Sequence, residues 1–346
     1  MSKYTLNISF STYCRGEQFL KDIQALLTSK DIRFRITVQD NHSEDGSFEA
    51  LQSIEDERFV VRQNDKNLTS HPNHKKSLLN NPDAEYILFS IDKDFVNPEY
   101  ISQFVDYLEK EKPYYGYLNL HNAKGQEDIT YEAGVDAITN LGYLCKHPSG
   151  FFWRRYLLEQ EMQQDYFTRL PMTFDFWFDL ATAHLAAKYP GQVCNIPLFI
   201  HAPFRKEYQG KLVPTLSYNE DNIYFGFPKR METFEIFLKD LTSLEISKEV
   251  LQNVAFHLLR GTLGQVTIGL RAVFHKKNEC IRYNLKYRTY SLSELMSNAR
   301  AALNLYKREM KGHESALSLF AKCFLAYNYT LLRTATFCLT EKYEKD

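Results

Sequence analysis

The sequence predicts an α/β fold: a mixed sheet with helices on both faces, followed by a C-terminal α-helical module. Three observations carry this expectation. Apolar residues in the first hundred positions switch repeatedly between a two-residue and a helical period. Polar clusters close the apolar runs, and from about Lys229 the strand pattern gives way to helix.

Leu6, Ile8 and Phe10 alternate with polar residues, which is the period of a strand. Phe19, Leu20, Ile23, Leu26 and Leu27 then fall at helical spacing, and Phe34, Ile36 and Val38 restore the strand period. Phe48, Leu51 and Ile54 suggest a short helix before a strand at Phe59, Val60 and Val61. A polar stretch over residues 63–74 precedes an apolar run at 86–91 that ends in charge. Repetition of strand and helix argues for parallel pairing, and such sheets bind ligands at the carboxyl ends of their strands. A further strand is expected at 117–120, a helix at 175–188 stopped by Tyr189-Pro190-Gly191, and a strand at 193–200.

In the last third, Leu251, Val254, Ala255, Leu258 and Leu259 make one apolar helix face. Leu317, Phe320, Phe324, Tyr327 and Leu331 make another, and Ser291 with Glu294 has the spacing of a capping box. The expected division is a catalytic domain over 1–228, itself split into halves at 113/114, and a helical domain over 229–346. Lys and Arg recur between Arg260 and Lys311, which suits contact with an anionic membrane surface or with a second copy of the chain, and equally suits a solvated helical face.

Composition bounds the function classes. Of 346 residues, 44% are hydrophobic and 25% charged, as in ordinary globular proteins. A formal net charge of −1 supplies no global field for nucleic acid, so none is expected as a partner. The six cysteines are widely separated, without a C-x-x-C pair, and read as reduced thiols. No signal peptide and no spanning apolar segment stand out, so the expected location is cytoplasmic, extending to the inner face of the membrane. The aromatic share of 14% suits surfaces that meet sugars and equally suits packing.

Chemistry concentrates in three polar loops at carboxyl ends of strands: Ser11-Thr12-Tyr13-Cys14-Arg15, Asp40-Asn41-His42-Ser43 and Asp92-Lys93-Asp94. Two carboxylates one residue apart, in a turn leaving a buried strand, can hold a hard divalent cation through oxygen. A nucleoside diphosphate adds oxygens to the same ion, which neutralises charge on the leaving diphosphate. Asp40, Asn41 and Ser43 are also residues that favour plain polar turns.

Taken in order, these three segments resemble the family 2 glycosyltransferases over roughly the first hundred residues, with a looser match continuing to His201. The resemblance implies a GT-A fold, Rossmann-like, built for nucleoside-diphospho-sugars. It also implies inverting transfer from a donor, UDP-linked first, to a glycan or lipid-linked sugar, in bacterial polysaccharide or glycoconjugate synthesis with Mn2+ or Mg2+. By position, Thr12, Tyr13 and Arg15 match the loop against base and ribose, and Asp40 matches the acid that accepts from the base. Asn41 stands where relatives often carry a second acid. Asp92 would face the ribose or the metal, Lys93 goes with the nucleotide-binding residues, and Asp94 would ligate the metal. His201 matches a histidine that can complete the metal site.

The resemblance also places a general base near the start of a helix that follows a glycine-containing acceptor loop. Residues 149–155 resemble that loop, making Gly150, Trp153 and Trp177 acceptor candidates, with core packing the competing role for both tryptophans. Asp175 is the first candidate base and Asp179, one helical turn on, the second. The competing role for Asp175 is stabilising a helix N-terminus. Two other readings stay open: metal-dependent nucleotidyl transfer, and a non-catalytic partner subunit that binds nucleotide sugar.

Overall fold

The alternation at Leu6, Ile8 and Phe10 becomes β1 (Tyr4–Thr12), a central strand of the sheet that is buried on both faces. α1 (Gly16–Leu27) carries the chain to β2 (Phe34–Asp40), parallel to β1. α2 (Ser47–Gln52) leads to β3 (Phe59–Gln63), parallel to β2. α3 (Ser70–Leu79) precedes β4 (Ala84–Ile91), which pairs in parallel with the other side of β1. The register sets Thr12 beside Asp40 and Ser11 beside Ile91, so the three polar loops leave the sheet on one edge. The computed structural model describes residues 2–79, 83–119, 127–171, 174–201, 219–283 and 285–341.

Beyond β4 the pairing turns mixed. β5 (Phe95–Val96) and α4 (Ile101–Glu111) precede β6 (Tyr115–Leu118) and β7 (Ile129–Tyr131). α5 (Val135–Leu141) is followed by β8 (Phe151–Arg154), α6 (Arg155–Met162), α7 (Asp165–Thr168) and α8 (Trp177–Ala186). β8 inserts antiparallel between β4 and β6. β9 (Gly191–Cys194) runs parallel to β6 and antiparallel to β7. The sheet order is therefore β3-β2-β1-β4-β8-β6-β9-β7, and β10 (Phe199–Ile200) pairs separately with β5.

Three elements differ from the sequence expectation. The strand expected over 193–200 is two strands, because Pro197 has no N–H for a ladder and the chain changes partner there. α3 lies in a stretch read as polar loop; its buried residues are Asn73, Ser77 and Leu78, so apolar periodicity could not announce it. α8 begins at Trp177, leaving Asp175 in the turn before it, and every residue of the helix is buried. Trp177 and Phe178 stack at 3.7 Å, and Trp153 stacks on Phe178 at 6.0 Å.

Contacts divide the chain into two compact units, 1–209 and 210–346. Among the described residues, all strands lie in the first. The second is helical: α9 (Phe227–Ser243), α10 (Lys248–Gly264), a π-helical segment (Gln265–Gly269) continuing into α11 (Leu270–Phe274), α12 (Lys277–Arg282), α13 (Leu292–Glu309) and α14 (Ala316–Thr340). Ser291 and Glu294 form the reciprocal capping box at the start of α13. On α14 the apolar face at Leu317, Phe320 and Phe324 is exposed, while Cys323, Ala326, Thr330 and Thr334 turn inward. Small inward residues let α14 approach its neighbours closely, which rotates its large side chains outward. No helix among the described residues is long and apolar enough to cross a membrane.

Candidate active site

The three loops on the carboxyl edge are bonded to one another. The Tyr13 amide donates to Asp92 at 3.2 Å, and the Arg15 guanidinium pairs with the same carboxylate at 3.0 Å. The Cys14 amide donates to the Ser43 hydroxyl at 2.8 Å, and Gly16 N–H to Ser47 at 2.8 Å. Asn73 on α3 donates to the Ser11 hydroxyl at 2.6 Å and to the Gln39 carbonyl at 3.1 Å. A buried polar network of this kind costs little only when each member finds a partner, and it then fixes the loops it joins.

Asp40 and Asn41 spend their polar atoms inside this network. Asp40 is fully buried and accepts from the Ser43 amide and hydroxyl and from Gln63. Asn41 donates to Asn67 and the Thr69 carbonyl and accepts from Asn64 and the Leu68 amide. Both shape the loop after β2; neither side chain stands open to a base. Thr12 is buried as well, whereas Tyr13 is exposed and Lys93 half-buried.

The carboxylates of the D-x-D turn point to different places. Asp94 is almost completely buried and accepts from the Ser149 hydroxyl at 2.6 Å. Its Oδ1 lies 3.1 Å from His201 Nδ1, and its Oδ2 lies 3.6 Å from His147 Nδ1. Ser149 also accepts from the Ile91 amide at 3.0 Å, tying the Ser149-Gly150 loop to the end of β4. This needs a sharp reversal after Ser149, and Gly150, with φ of 101°, supplies a left-handed backbone that other residues resist. Burial works against the charge on Asp94, but the His201 contact, the neighbouring His147 and the Ser149 bond together hold its carboxyl below the ordinary range.

Asp94, His147 and His201 each offer a ligand atom, all within 4.8 Å of one another. Ligand bonds of about 2.1 Å to one ion span such a spread after a small inward movement. The donors thus fit a divalent cation. Asp92 is not part of this cluster; Tyr13 and Arg15 hold it against the loop after β1. His147 is a residue the sequence reading passed over, although it stands two positions before the Ser149-Gly150 loop. Its ring meets that of His201 at 4.6 Å.

Asp175 is partly exposed, and its Oδ1 lies 2.6 Å from Nε2 of His71 on α3. Asp179 is buried and accepts from the Leu144 and Lys146 amides at 3.0 and 3.4 Å. That position corrects its candidacy as a base: it holds a loop in which Tyr143 and Cys145 both have φ of 53°. Because Asp175 precedes the helix, the one-turn spacing that paired it with Asp179 does not apply. Trp153 and Trp177 are fully buried and pack in the core, so neither ring is open to stack on a sugar.

No family model and no curated protein matches the sequence. Solved structures do. TarS 1–349 from S. aureus superposes with a TM-score of 0.56 at 14% identity, covering 99% of this chain and 94% of that one. The same region solved in complex with UDP-GlcNAc gives 0.56 at 15% identity. The fold is GT-A. Against the longer TarS structure the TM-score is 0.55 and this chain spans 55% of that one, so it corresponds to about half of it.

Proposed function

We propose that this protein is a metal-dependent glycosyltransferase that moves a sugar, with inversion, from a nucleoside diphosphate donor to a hydroxyl of a glycan or lipid-linked sugar. The observation that carries the reading is the Asp94, His147 and His201 cluster beside the Asp92 turn, at the carboxyl edge of the parallel strands. Open α/β sheets bind ligands at that edge. A UDP-sugar is the first donor to try, because TarS, which shares the fold, was solved with UDP and with UDP-GlcNAc.

In this reading residues 1–228 are the catalytic domain and 229–346 a helical domain. Within 1–113, Tyr13, Arg15, Asp92 and Lys93 line the nucleotide side. Asp94, His147 and His201 hold the cation, which when bound neutralises charge on the departing diphosphate. Two imidazoles in the donor set favour Mn2+ over Mg2+, which prefers an all-oxygen shell. Asp175 takes the proton from the acceptor hydroxyl as that oxygen attacks the anomeric carbon from the face opposite the diphosphate. Gly150 places Ser149 so that its hydroxyl joins the acceptor loop to both Asp94 and the end of β4.

The test is release of nucleoside diphosphate from UDP- and GDP-sugars with Mn2+ or Mg2+, with product anomer configuration read by NMR. Transfer by Asp94→Ala protein at the wild-type rate with all metal chelated would sink the metal assignment. Release of pyrophosphate instead of nucleoside diphosphate would move the protein to nucleotidyl transfer.

A further inference from the structure

The pairing of Asp175 with His71 was not announced by any spacing in the sequence, and burial decides what it does. α3 starts directly after the network that ties the loops of β1 and β2 together: Asn41 bonds the carbonyl of Thr69, and Asn73 bonds Ser11. His71, second residue of this helix, therefore stands on the same edge of the sheet as the nucleotide loops. Its Nε2 meets Asp175 Oδ1 at 2.6 Å, a charge-assisted distance.

Two orders of action are open to such a dyad. In one, the carboxylate orients the imidazole and the imidazole meets substrate. In the other, the imidazole orients the carboxylate. The second nitrogen decides between them. His71 Nδ1 has no exposed surface and no hydrogen-bond partner among the described residues, and the ring packs edge-on to His74 at 5.6 Å. It cannot exchange a proton with a substrate through that atom. The Asp175 side chain is 31% exposed against 16% for His71, so the carboxylate is the member that faces outward.

The same atom assigns the tautomer. A proton on Nδ1 would be a buried, unsatisfied N–H, whereas a ring that donates from Nε2 leaves only a lone pair at Nδ1. His74, which packs edge-on against the ring, adds no charge, since burial keeps it neutral. An N–H donor at Nε2 fixes one carboxylate oxygen in place. Asp175 needs such a support because it lies in a turn before α8, where no helix backbone sets its direction.

We infer that His71 is a positioning residue for Asp175, donating from Nε2 to hold the carboxylate toward the acceptor hydroxyl; this rests on Asp175 being the base. The experiment uses the full chain with the UDP- or GDP-sugar that gives the fastest diphosphate release. His71→Leu removes the donor, and His71→Gln keeps an amide N–H at nearly the same place. The expected result is a loss of kcat of about 10- to 100-fold in His71→Leu with donor KM within about twofold, and recovery to within about threefold of wild type in His71→Gln. Nitrogen-15 NMR of the ring in the free protein should show the Nε2–H form, altered by Asp175→Ala.

Wild-type kcat in His71→Leu beside an inactive Asp175→Ala overturns the inference alone. Equal losses in both His71 variants overturn it too, as does an Nδ1–H ring. Full activity in Asp175→Ala with the ring bond intact in wild type overturns the base assignment and with it any catalytic role for His71. Should His71→Leu not fold, the His71→Gln rate and the ring NMR decide.

Discussion

Oδ1 of Asp94 lies 3.1 Å from Nδ1 of His201, a residue 107 positions farther along the chain. Asp92, two residues before Asp94, makes its contacts instead with Tyr13 and Arg15. The two acids of the D-x-D turn should therefore separate by experiment. Asp94→Asn is expected to lose Mn2+ affinity by about 100-fold or more, measured by calorimetry without donor. Asp92→Asn should keep Mn2+ affinity within about threefold and raise the donor KM. Equal loss of metal by both variants would count against this division.

His147 completes the cluster from the loop before β8. His147→Ala should weaken Mn2+ binding by at least about tenfold. His147→Asp should shift preference toward Mg2+, because it exchanges nitrogen for the oxygen that Mg2+ favours. Competition titrations of the two ions read both effects, and an unchanged Mn2+ to Mg2+ ratio in His147→Asp would exclude His147 as a ligand.

His74 predicts acid sensitivity of the fold. Packed against Phe89 at 5.2 Å and near His71, it has its pKa pulled down to about 3 by burial first and by His71 second. The unfolded chain binds a proton near the ordinary histidine pKa of about 6.5, while the folded state refuses it. Stability is thus unaffected by this group above about pH 6.5 and falls as pH drops from there toward 3, by up to about 1.4 kcal/mol per pH unit. Urea melts at several pH values should show a shallower acid slope for His74→Phe. An identical slope would mean the ring takes up its proton in the folded state.

Gly116 and Gly261 should respond oppositely to alanine. A Cβ at Gly116 in β6 would collide with the Phe152 ring and the Gln192 carbonyl, whereas nothing lies within 4 Å of one at Gly261 in α10. Gly116→Ala should cost about 1–3 kcal/mol, and Gly261→Ala should stabilise α10 by about 0.5–1 kcal/mol. Thermal melts followed separately by strand and helix signals give the signs. A stabilised Gly116→Ala would contradict the packing of β8 against β6.

The sequence made the parallel half legible, because Leu6, Ile8 and Phe10 or Phe34, Ile36 and Val38 must face apolar layers whatever else the chain does. The companionship of the loops was legible for the same reason: consecutive parallel strands expose their carboxyl ends together. What stayed hidden was set by tertiary placement. α3 buries Asn73 and Ser77 and so carries no apolar stripe. His147 reaches Asp94 through a loop of left-handed residues, Tyr143, Cys145 and Gly150, that no periodicity describes. Asp179 looked catalytic because acids at helix starts often are, yet its oxygen is used by two backbone amides. The α14 pattern fixed a helix but not which side of it would be covered.

The ladder between β5 and β10 is two residue pairs long, extended by the Asn97 amide bonding the Leu198 carbonyl at 2.8 Å. Closing a chain loop of about a hundred residues on so few bonds costs roughly 4 kcal/mol of entropy, so the ladder should open more readily than the central strands. Asp94 precedes one of its strands and His201 follows the other, so an ion held by both would bridge the opening. At a hundred times its Kd, Mn2+ should add about 2.7 kcal/mol to that closure and slow amide exchange at Asn97 and its neighbours by about 100-fold. Hydrogen exchange over 95–97 and 198–200, with strands β1 and β4 as the unchanging reference, would then report metal occupancy without any substrate present.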